Sequence, residues 1–350
     1  MPVASTTTVV LPSRRDAVVR RIALEWRRLT SPARARRAGK GEPTLIACSG
    51  GADSSALVLA LAAVSDDVVV GHVVHDLRPR AEALADRDAV RALAEGLGLK
   101  FVEREVHVRR AGENAEGAAR RLRYEALAEM ARECGVKFIA TAHHAHDQSE
   151  SVLMHLVRGA GPAGLGGIAP KRRMDAGSSR SWLIRPMLGV TPEKARDLCR
   201  GCGWTWREDA TNEDTSRLRA AIRHEVLPRL LAIRQSAVER IADAAALQRE
   251  LARMLRRTAQ RRIGTELVWP RAELRRMSSP VLGEVLRQAF AGMNVGRGLD
   301  RLPARSIGAA VRLIRSADTE PRELDWSGSV VEITSRRVKV RQASKPDSTS

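Results

Sequence analysis

Residues 44–59 place an apolar strand pattern, two adjacent glycines and a helical pattern one after the other. The apolar run 44–48 stops at Ser49-Gly50-Gly51, and a helix-compatible run begins near Asp53. A strand that turns at two residues without a Cβ and continues as a helix leaves several backbone N–H groups without partners. These donors, together with the positive end of the helix dipole, favour an anion such as phosphate. The segment therefore predicts a β-to-α corner that binds a phosphate group.

Six consecutive residues are expected to form this phosphate site: Ser49, Gly50, Gly51, Ala52, Asp53 and Ser54. The serine hydroxyls add donors, and the Asp53 carboxylate either caps the helix or faces a metal ion. The segment lacks the Gly-Lys-Ser/Thr ending of a Walker A loop and the Gly-x-Gly-x-x-Gly spacing of a dinucleotide site. It therefore predicts a nucleotide site of another type, and an ordinary Gly-Gly turn before a helix is the alternative.

Strand patterns and helical patterns alternate along the first part of the chain. The strands are predicted at 44–48, 67–74, 100–106 and 137–142, and the helices at 54–64, 81–97 and 115–134. Continuous Val/Ile runs separated by helices are typical of a buried sheet, so the predicted fold class is α/β, a doubly wound parallel sheet. Ligands bind such a sheet at the carboxyl ends of its strands. We expect residues 48–55, 75–78 and 142–148, which follow strands, to converge on one pocket.

The length of 350 residues favours two domains. We place a catalytic domain at 1–225 and a mainly helical, substrate-binding domain at 226–350, which ends in a small hairpin at 329–341. The glycine-rich stretch 159–170 and the polar, basic stretch 171–181 predict a mobile loop near the site.

Lysine and arginine number 60 against 41 acidic residues, which gives a formal net charge of +19. Such an excess attracts polyanions, of which nucleic acid is the main candidate, and a genome biased towards arginine is the alternative. Four cysteines are too few for a disulfide framework, and no apolar run approaches the roughly 20 residues that span a bilayer. We therefore expect a cytoplasmic protein without a secretory signal or a membrane partner.

Residues 142–151 hold three histidines, Asp147 and Glu150. Their spacing fits no zinc-hydrolase pattern, because His-Glu-x-x-His is absent. At a strand end that becomes a helix, Asp147 offers a hard oxygen ligand and is, with Asp53, a candidate for holding Mg²⁺. A helix start with acidic caps is the alternative. The pair Cys199-x-x-Cys202 would supply half a zinc site or a redox pair, but a chance occurrence is favoured because no second pair exists.

The string at 49–54 resembles the pyrophosphatase loop of the N-type ATP pyrophosphatases, which split ATP into AMP and pyrophosphate to adenylate an oxygen. Further strings, in order along residues 44–230, resemble those of the tRNA(Ile)-lysidine synthetases. These strings lie at 72–78, 116–124, 142–151, 158–161, 185–188, 208–214 and 222–228. Residues 231–350 match only loosely, as a helical substrate domain with a small closing unit.

The resemblance implies an ATP-dependent ligase that acts on tRNA(Ile) with a CAU anticodon. ATP adenylates the C2 oxygen of the wobble cytidine, and the ε-amine of free L-lysine then displaces AMP to give lysidine. The implied catalytic residues are Asp53, Asp147, Arg123 and His143, with Mg²⁺ held by Asp53 and Asp147. Arg120 is expected to grip phosphate or the adenylated cytidine together with Arg123, and Glu150 to take the lysine ammonium group.

Three positions depart from the family pattern. The chain has Arg219-Ala220-Ala221 where the family has Arg-Asn-Arg, His146 where aspartate is usual, and Asp76 where glycine is common. The first departure removes an amide and a guanidinium and so weakens an expectation of RNA contacts there. The loss of a carboxylate at 146 leaves Mg²⁺ more dependent on Asp53 and Asp147.

Three other functions compete with this interpretation. A tRNA 2-thiolation enzyme of the same superfamily would share the loop and the adenylation step, but it would need paired cysteines or an iron–sulfur cluster near the site. A small-molecule amide synthetase would have no use for the basic charge, and a non-catalytic RNA-binding protein would not need intact loop residues. The sequence leaves open the residues that read the anticodon, the lysine pocket and the oligomeric state, for which a homodimer is one alternative.

Overall fold

The computed structural model describes residues 9–31, 41–76, 79–108, 115–176, 179–207, 217–263, 267–293, 304–326 and 328–343. The predicted motif at 208–214 and two residues of the 72–78 string, 77 and 78, lie outside the described residues. The chain divides into two compact units. The first comprises Met1–Met154 and Gly167–Ala244, and the second comprises His155–Gly166 and Ala245–Ser350.

A six-stranded sheet forms the centre of the first unit. Its strands are β1 (Thr44–Ala47), β2 (Val68–His75), β3 (Lys100–Val106), β4 (Phe138–Ala140), β5 (Lys171–Ala176) and β6 (Ser179–Ile184). They lie in the order β3-β2-β1-β4-β6-β5, and every neighbouring pair is parallel except β5 and β6. The predicted α/β class with a doubly wound parallel sheet is confirmed. The strand order reverses direction between β1 and β4, which is where open α/β sheets bind ligands.

Helices cover both faces of this sheet. In chain order, the helices up to residue 201 are α1 (Ala17–Thr30), α2 (Ala52–Ala62), α3 (Arg80–Gly96), α4 (Ala115–Glu133), α5 (Ala145–Val157), the short α6 (Pro162–Leu165) of the second unit, and α7 (Pro192–Gly201). Successive strand residues point to opposite faces. Accordingly, Ile46 packs in one core cluster with Ile22 of α1 and Leu57 of α2, whereas Leu45 packs in another with Leu127 of α4. The helices α2 and α4 therefore lie on opposite faces of the sheet.

The predicted mobile loop is wrong for residues 171–176 and 179–181, which belong to the antiparallel hairpin β5–β6. Its inward side chains include Met174 and Leu183, which are buried in the same core cluster as Leu127. The Lys171 ammonium group donates to the carbonyl oxygen of Leu29 at 2.7 Å. The hairpin thus has a polar, basic composition, and its buried apolar side chains are Met174, Leu183 and Ile184, whereas Trp182 is 37% exposed.

The first unit extends beyond the predicted boundary at residue 225. After α8 (Arg217–Ala221) come a π-helical turn (Ile222–Val226), α9 (Leu227–Ile233) and the long α10 (Ala237–Gln260). Ile222, Leu227 and Val238 form a small core with Ala145 of α5. Because these side chains pack on the first unit, the compact units divide at Ala244 rather than at 225. The functions assigned to the two predicted domains stay predictions.

The second unit combines helices with a small antiparallel sheet. Besides the end of α10 it contains α11 (Arg271–Arg276), α12 (Ser279–Met293) and α13 (Ala304–Arg315), and the strands β7 (Val268–Pro270), β8 (Arg322–Asp325), β9 (Ser329–Ile333) and β10 (Arg337–Gln342). The predicted closing hairpin is confirmed as β9–β10, within a sheet of order β7-β10-β9-β8. Among the described residues, no helix is long and apolar enough to cross a membrane.

A buried arginine ties the second unit together. Arg271, only 3% exposed, donates to the carbonyl oxygens of Leu313 at 2.7 Å, Ile314 at 3.0 Å and Asp318 at 2.6 Å. These acceptors lie at and beyond the carboxyl end of α13, where helical carbonyl groups lack partners within the helix. The guanidinium therefore serves as a cap supplied by a different helix.

We predict that Arg271→Lys lowers the free energy of unfolding of the second unit by on the order of 3 kcal/mol, because an ammonium group cannot reproduce the forked set of charged hydrogen bonds. Urea unfolding followed by circular dichroism measures the change. The exposed Arg275, on the same helix, supplies the control, and Arg275→Lys should stay within about 0.5 kcal/mol of the original chain. Equal midpoints for the two variants would show that Arg271 is dispensable.

Candidate functional site

The corner between β1 and α2 has a closely hydrogen-bonded backbone. The Ser54 hydroxyl accepts the Ser49 N–H at 3.1 Å and donates to the Gly51 carbonyl at 3.0 Å. The Ser49 and Ser54 hydroxyls are also 3.2 Å apart. The helix begins at Ala52, and no side chain caps its first turn. The corner therefore presents backbone N–H groups at a helix N-terminus, as predicted for a phosphate site.

Neighbouring elements hold this corner in place. The His72 Nδ1–H of β2 donates to the Cys48 carbonyl at 2.8 Å, and the Arg207 N–H donates to the Gly50 carbonyl at 3.1 Å. Burial lowers the pKa of His72, so the ring remains a neutral donor. Gly50 has a φ of +93°, a conformation that L side chains rarely adopt, so glycine is required there.

Two carboxylates meet a histidine beside the corner. His144 follows β4, and its Nε2 lies 3.6 Å from Asp53 Oδ2 while its Nδ1 lies 3.4 Å from Asp147 Oδ2. Asp147 Oδ2 also accepts the His144 backbone N–H at 3.0 Å. The structure thus brings Asp53 of α2 and Asp147 of α5 together at the reversal of strand order between β1 and β4.

The two carboxyl groups differ in their electrostatics. Burial raises the pKa of Asp53, and the charge of Asp147 raises it further against the opposing effect of His144. Burial also raises the pKa of Asp147, but the His144 charge and the His144 backbone N–H outweigh it and leave this pKa below its ordinary value. Asp147 is therefore firmly ionised, whereas Asp53 holds its charge at a free-energy cost.

The residues present fit a magnesium ion. Asp53 Oδ1 is buried and has no hydrogen-bond partner among the described residues. A hard cation is bound through one or two carboxylates and completes its shell with water and substrate phosphates. The described part of the chain contains no group of three His, Cys, Asp or Glu side chains placed to hold a metal. Such an ion would therefore depend on Asp53, Asp147 and a nucleotide.

His143 lies at the carboxyl end of β4, where the Thr141 hydroxyl is 3.0 Å from its Nδ1. Burial and then the Arg185 charge lower the pKa of His143 to about 3. The imidazole is thus neutral at physiological pH. It can donate or accept a hydrogen bond, but it is a poor proton donor or acceptor in a general acid–base step.

Arg123 belongs to a different cluster from the two carboxylates. Its guanidinium carbon lies 5.6 Å from the ring centre of Tyr124, and that of Arg120 lies 5.3 Å from the same ring. Among the described side chains, Arg123 makes no ion pair with Asp53 or Asp147. It acts electrostatically on His143 instead.

Glu150 is already paired with two arginines. Its side chain is 1% exposed, and its oxygens accept hydrogen bonds from Arg219 Nε at 2.8 Å and Arg223 Nε at 2.7 Å. Arg223 lies in the π-helical turn, a feature that often marks functional sites. The expectation that Glu150 binds the ammonium group of lysine does not fit this arrangement, because both carboxylate oxygens already have cationic partners.

The Cys199-x-x-Cys202 pair lies closer to the corner than its sequence position indicates. The Cys199 thiol donates to the Ala52 carbonyl at 3.4 Å. Burial raises the pKa of Cys199 to about 12 and also raises that of Cys202. Both groups therefore stay protonated, and neither a zinc half-site nor a reactive thiol is indicated.

Sequence comparison identifies the family. Residues 25–230 match the model of the PP-loop domain. The chain belongs to the PP-loop family. The matched range covers the corner, both carboxylates, the arginines around Tyr124 and the π-helical turn, so the site described above is that of a PP-loop domain.

Curated relatives carry one name. The tRNA(Ile)-lysidine synthase of Rhodopirellula baltica is 37% identical over 243 residues, 62% of this chain and 60% of that protein. That of Deinococcus radiodurans is 38% identical over 271 residues, 73% of this chain and 44% of that protein. The chain thus spans about half the length of these relatives.

Among solved structures, the U34-tRNA thiolase NcsA from Methanococcus maripaludis gives a TM-score of 0.49 at 15% identity, covering 67% of this chain and 79% of that one.

The resemblance to the tRNA(Ile)-lysidine synthetases is confirmed by these names, whereas the residue roles stay predictions. Three residues received no role from the sequence: His144, Tyr124 and Arg185. His144 is one of three histidines within four residues, at 143, 144 and 146, and only the fold shows which one lies between the carboxylates. Tyr124 and Arg185 lie within two of the recognised strings, and that proximity was the available signal.

We predict that Asp53→Asn raises the free energy of unfolding at neutral pH while weakening the binding of ATP with Mg²⁺. The folded-state pKa of Asp53 is raised, so the carboxyl group stabilises the fold when protonated and loses that contribution as pH rises through the folded-state pKa. When urea unfolding is measured from mildly acidic to neutral pH, the midpoint of the variant should therefore exceed that of the original chain by the largest amount at neutral pH.

Asp67 is an exposed acidic residue in the same unit, so Asp67→Asn serves as the matched control and should change neither stability nor nucleotide binding. If Asp53→Asn were less stable than the original chain at neutral pH, the burial cost assigned to the carboxylate would be wrong.

Proposed function

We propose that this chain is an ATP-dependent ligase that joins free L-lysine to C2 of the wobble cytidine in tRNA(Ile) with a CAU anticodon. The reaction runs through an adenylated cytidine and releases pyrophosphate and AMP. The observation that carries the proposal is the placement of the PP-loop corner beside Asp53 and Asp147 at the switch point of the sheet. The curated relatives named tRNA(Ile)-lysidine synthase supply the choice of substrates.

The corner suits the departure of pyrophosphate. Fixed backbone donors and the α2 dipole stabilise negative charge as it develops on the leaving group, without reorganisation at the moment of reaction. The mutual hydrogen bonds of Ser49 and Ser54 keep those donors in place. The Ser54 hydroxyl, which bonds the Ser49 N–H and the Gly51 carbonyl, would therefore assist catalysis indirectly, by holding the loop in this conformation.

The carboxylates supply the cation site. Mg²⁺ held by Asp53 and Asp147 would screen the phosphate charges of ATP during attack by the cytidine oxygen. Asp147 is ionised over the whole neutral range, and Asp53 has an oxygen without a protein partner. The His144 imidazole lies between the two carboxylates, 3.6 Å from Asp53 Oδ2 and 3.4 Å from Asp147 Oδ2.

His143 orients a reacting group by hydrogen bonding. Because its imidazole is neutral, it does not repel a cationic amine. The chain's net charge of +19 fits a tRNA partner, and residues 226–350 are the proposed tRNA-binding part. The cytoplasm, which contains ATP, lysine and tRNA, is the proposed location.

Thiolation of tRNA is the second candidate, since Cys199 contacts the corner. Its chemistry needs a thiolate or a metal cluster, however, and burial holds both cysteines of the pair as thiols. The ligase is therefore the better supported of the two.

We expect incubation with ATP, Mg²⁺, lysine and a transcribed tRNA(Ile) with a CAU anticodon to yield lysidine, detected by nucleoside mass analysis. Omission of lysine, or replacement of the wobble cytidine by uridine, should abolish the product. Asp53→Ala should reduce tRNA-dependent ATP–pyrophosphate exchange by roughly 100-fold or more, because it removes charge stabilisation in the transition state, whereas Asp67→Ala should not.

The double variant Cys199→Ser with Cys202→Ser separates the two candidates. Retained lysidine formation would exclude thiolation through this pair. The same reaction is repeated with added sulfide as a sulfur donor, and formation of a thiolated nucleoside by the original chain, in place of lysidine, would reject the ligase.

A further inference from the structure

Four arginines surround one tyrosine at the edge of the sheet. We call this set the tyrosine–arginine cluster; it comprises Tyr124, Arg120, Arg123, Arg172 and Arg185. The guanidinium carbons of the three arginines from α4 and β5 lie 5.1 to 5.6 Å from the ring centre of the tyrosine. Arg185 follows β6 directly, and it is buried like Tyr124. Three separate elements thus direct positive charge at a single ring.

Two buried polar atoms of the cluster, the Tyr124 hydroxyl and Arg185 Nε, have no well-aligned hydrogen bond among the described residues. The Tyr124 hydroxyl and the Arg185 guanidinium do interact with each other, and this interaction leaves the remaining N–H donors of the cluster available. Arg185 is held in place by another atom of the guanidinium, Nη1, which donates to the Ala169 carbonyl at 2.6 Å. Buried polar groups without partners are uncommon in folded proteins and call for an explanation such as an absent ligand.

The positive charge of the cluster is not balanced by acidic residues. No carboxylate whose side chain the structure describes forms an ion pair with any of its four arginines. By contrast, Arg121 on the same helix pairs with Glu125 at 3.0 Å. Burial raises the pKa of Tyr124, yet the surrounding arginine charges lower it below its ordinary value. An anion with hydrogen-bond acceptors would balance the charge and accept hydrogen bonds from the donors that lack a well-aligned partner.

The cluster is separate from the PP-loop corner. Tyr124 packs on the sheet face that carries α4, whereas α2 covers the opposite face. Both nonetheless lie at the carboxyl edge, because Arg185 follows β6 and Arg172 is paired with Leu183 near the end of that strand. His143, which follows β4, feels the charges of Arg185 and Arg123 and so adjoins the cluster.

We infer that the tyrosine–arginine cluster binds a backbone phosphate of the RNA substrate next to the reacting nucleotide, an assignment that rests on the proposed function. ATP phosphates have their own site at the corner. Free lysine carries a net positive charge at neutral pH, so four unbalanced guanidinium groups repel it even though its carboxylate would be attracted. An RNA strand supplies phosphate oxygens at regular intervals and fits the excess of donors.

The test measures tRNA binding by filter retention, without ATP or lysine, between about 50 and 200 mM salt. Arg172, which is exposed, is replaced in Arg172→Gln, and the tyrosine in Tyr124→Phe. Arg172→Gln should weaken binding by roughly 3- to 10-fold and reduce the slope of log affinity against log salt by about 1. Tyr124→Phe should weaken binding by about 5-fold with an unchanged slope, because it removes a neutral donor.

Arg121→Gln is the matched control, since Arg121 is already paired with Glu125, and it should keep the original affinity and slope. Thermal unfolding of all three variants verifies that they fold. Unchanged tRNA binding in both cluster variants would overturn the assignment. So would a higher KM for lysine with unchanged tRNA binding, which would indicate a carboxylate, or a higher Kd for ATP, which would indicate a nucleotide phosphate.

The failure of the proposed function has a different signature. If the chain made no lysidine but Arg172→Gln still lowered the salt slope, the RNA phosphate site would be supported and only the reaction would be rejected. If the chain made lysidine while the cluster variants bound tRNA normally, the reaction would be supported and the phosphate site rejected.

Discussion

The hydrogen bonds of the Ser54 hydroxyl are the constraint on which the site depends. By accepting from Ser49 and donating to Gly51, this one oxygen closes the chain between β1 and α2 into a tight curl. This conformation gives Gly50 a positive φ that L side chains rarely adopt, and it directs the first turn of α2 towards the carboxyl edge of the sheet. Asp53, one residue into that turn, is thereby delivered to His144 and Asp147 across the switch point.

The sheet separates two kinds of charge. Carboxylates gather beside α2, and arginines gather beside α4 on the opposite face. His144 contacts the carboxylates, and the charges of the arginines lower the pKa of its neighbour His143. The short segment after β4 therefore links the two regions. Under the proposed function, a magnesium-bound nucleotide would engage one region and the RNA backbone the other, with the reacting base between them.

The sequence predicts those elements whose apolar residues form unbroken or strictly alternating runs. The strands β1 (Thr-Leu-Ile-Ala) and β2 (five valines among eight residues) are buried or half-buried on both faces, and β9 and β10 alternate. The strand β5 escapes prediction because lysine and arginine dominate its exposed positions, and β8, Arg-Glu-Leu-Asp, is mostly exposed. The end of the first unit escapes for a different reason: Ile222 and Leu227 belong to it only through their packing with Ala145, a contact that no local pattern encodes.

The site residues also divide into those that a local sequence pattern predicts and those that depend on packing. Asp53 and Asp147 are predictable because each follows a strand that ends at the switch point, whereas the pairing of Glu150 with Arg219 and Arg223 depends on how α8 and the π-helical turn pack.

The unbalanced charges on either side of the sheet carry a folding cost that the protein alone does not recover. Ligands that bind only the folded state repay it, by about 2.7 kcal/mol at 100 times their Kd. If the proposed ligands bind there, the site is least stable when empty, and the unsatisfied groups that weaken the fold are those that would select a cation on one face and a polyanion on the other.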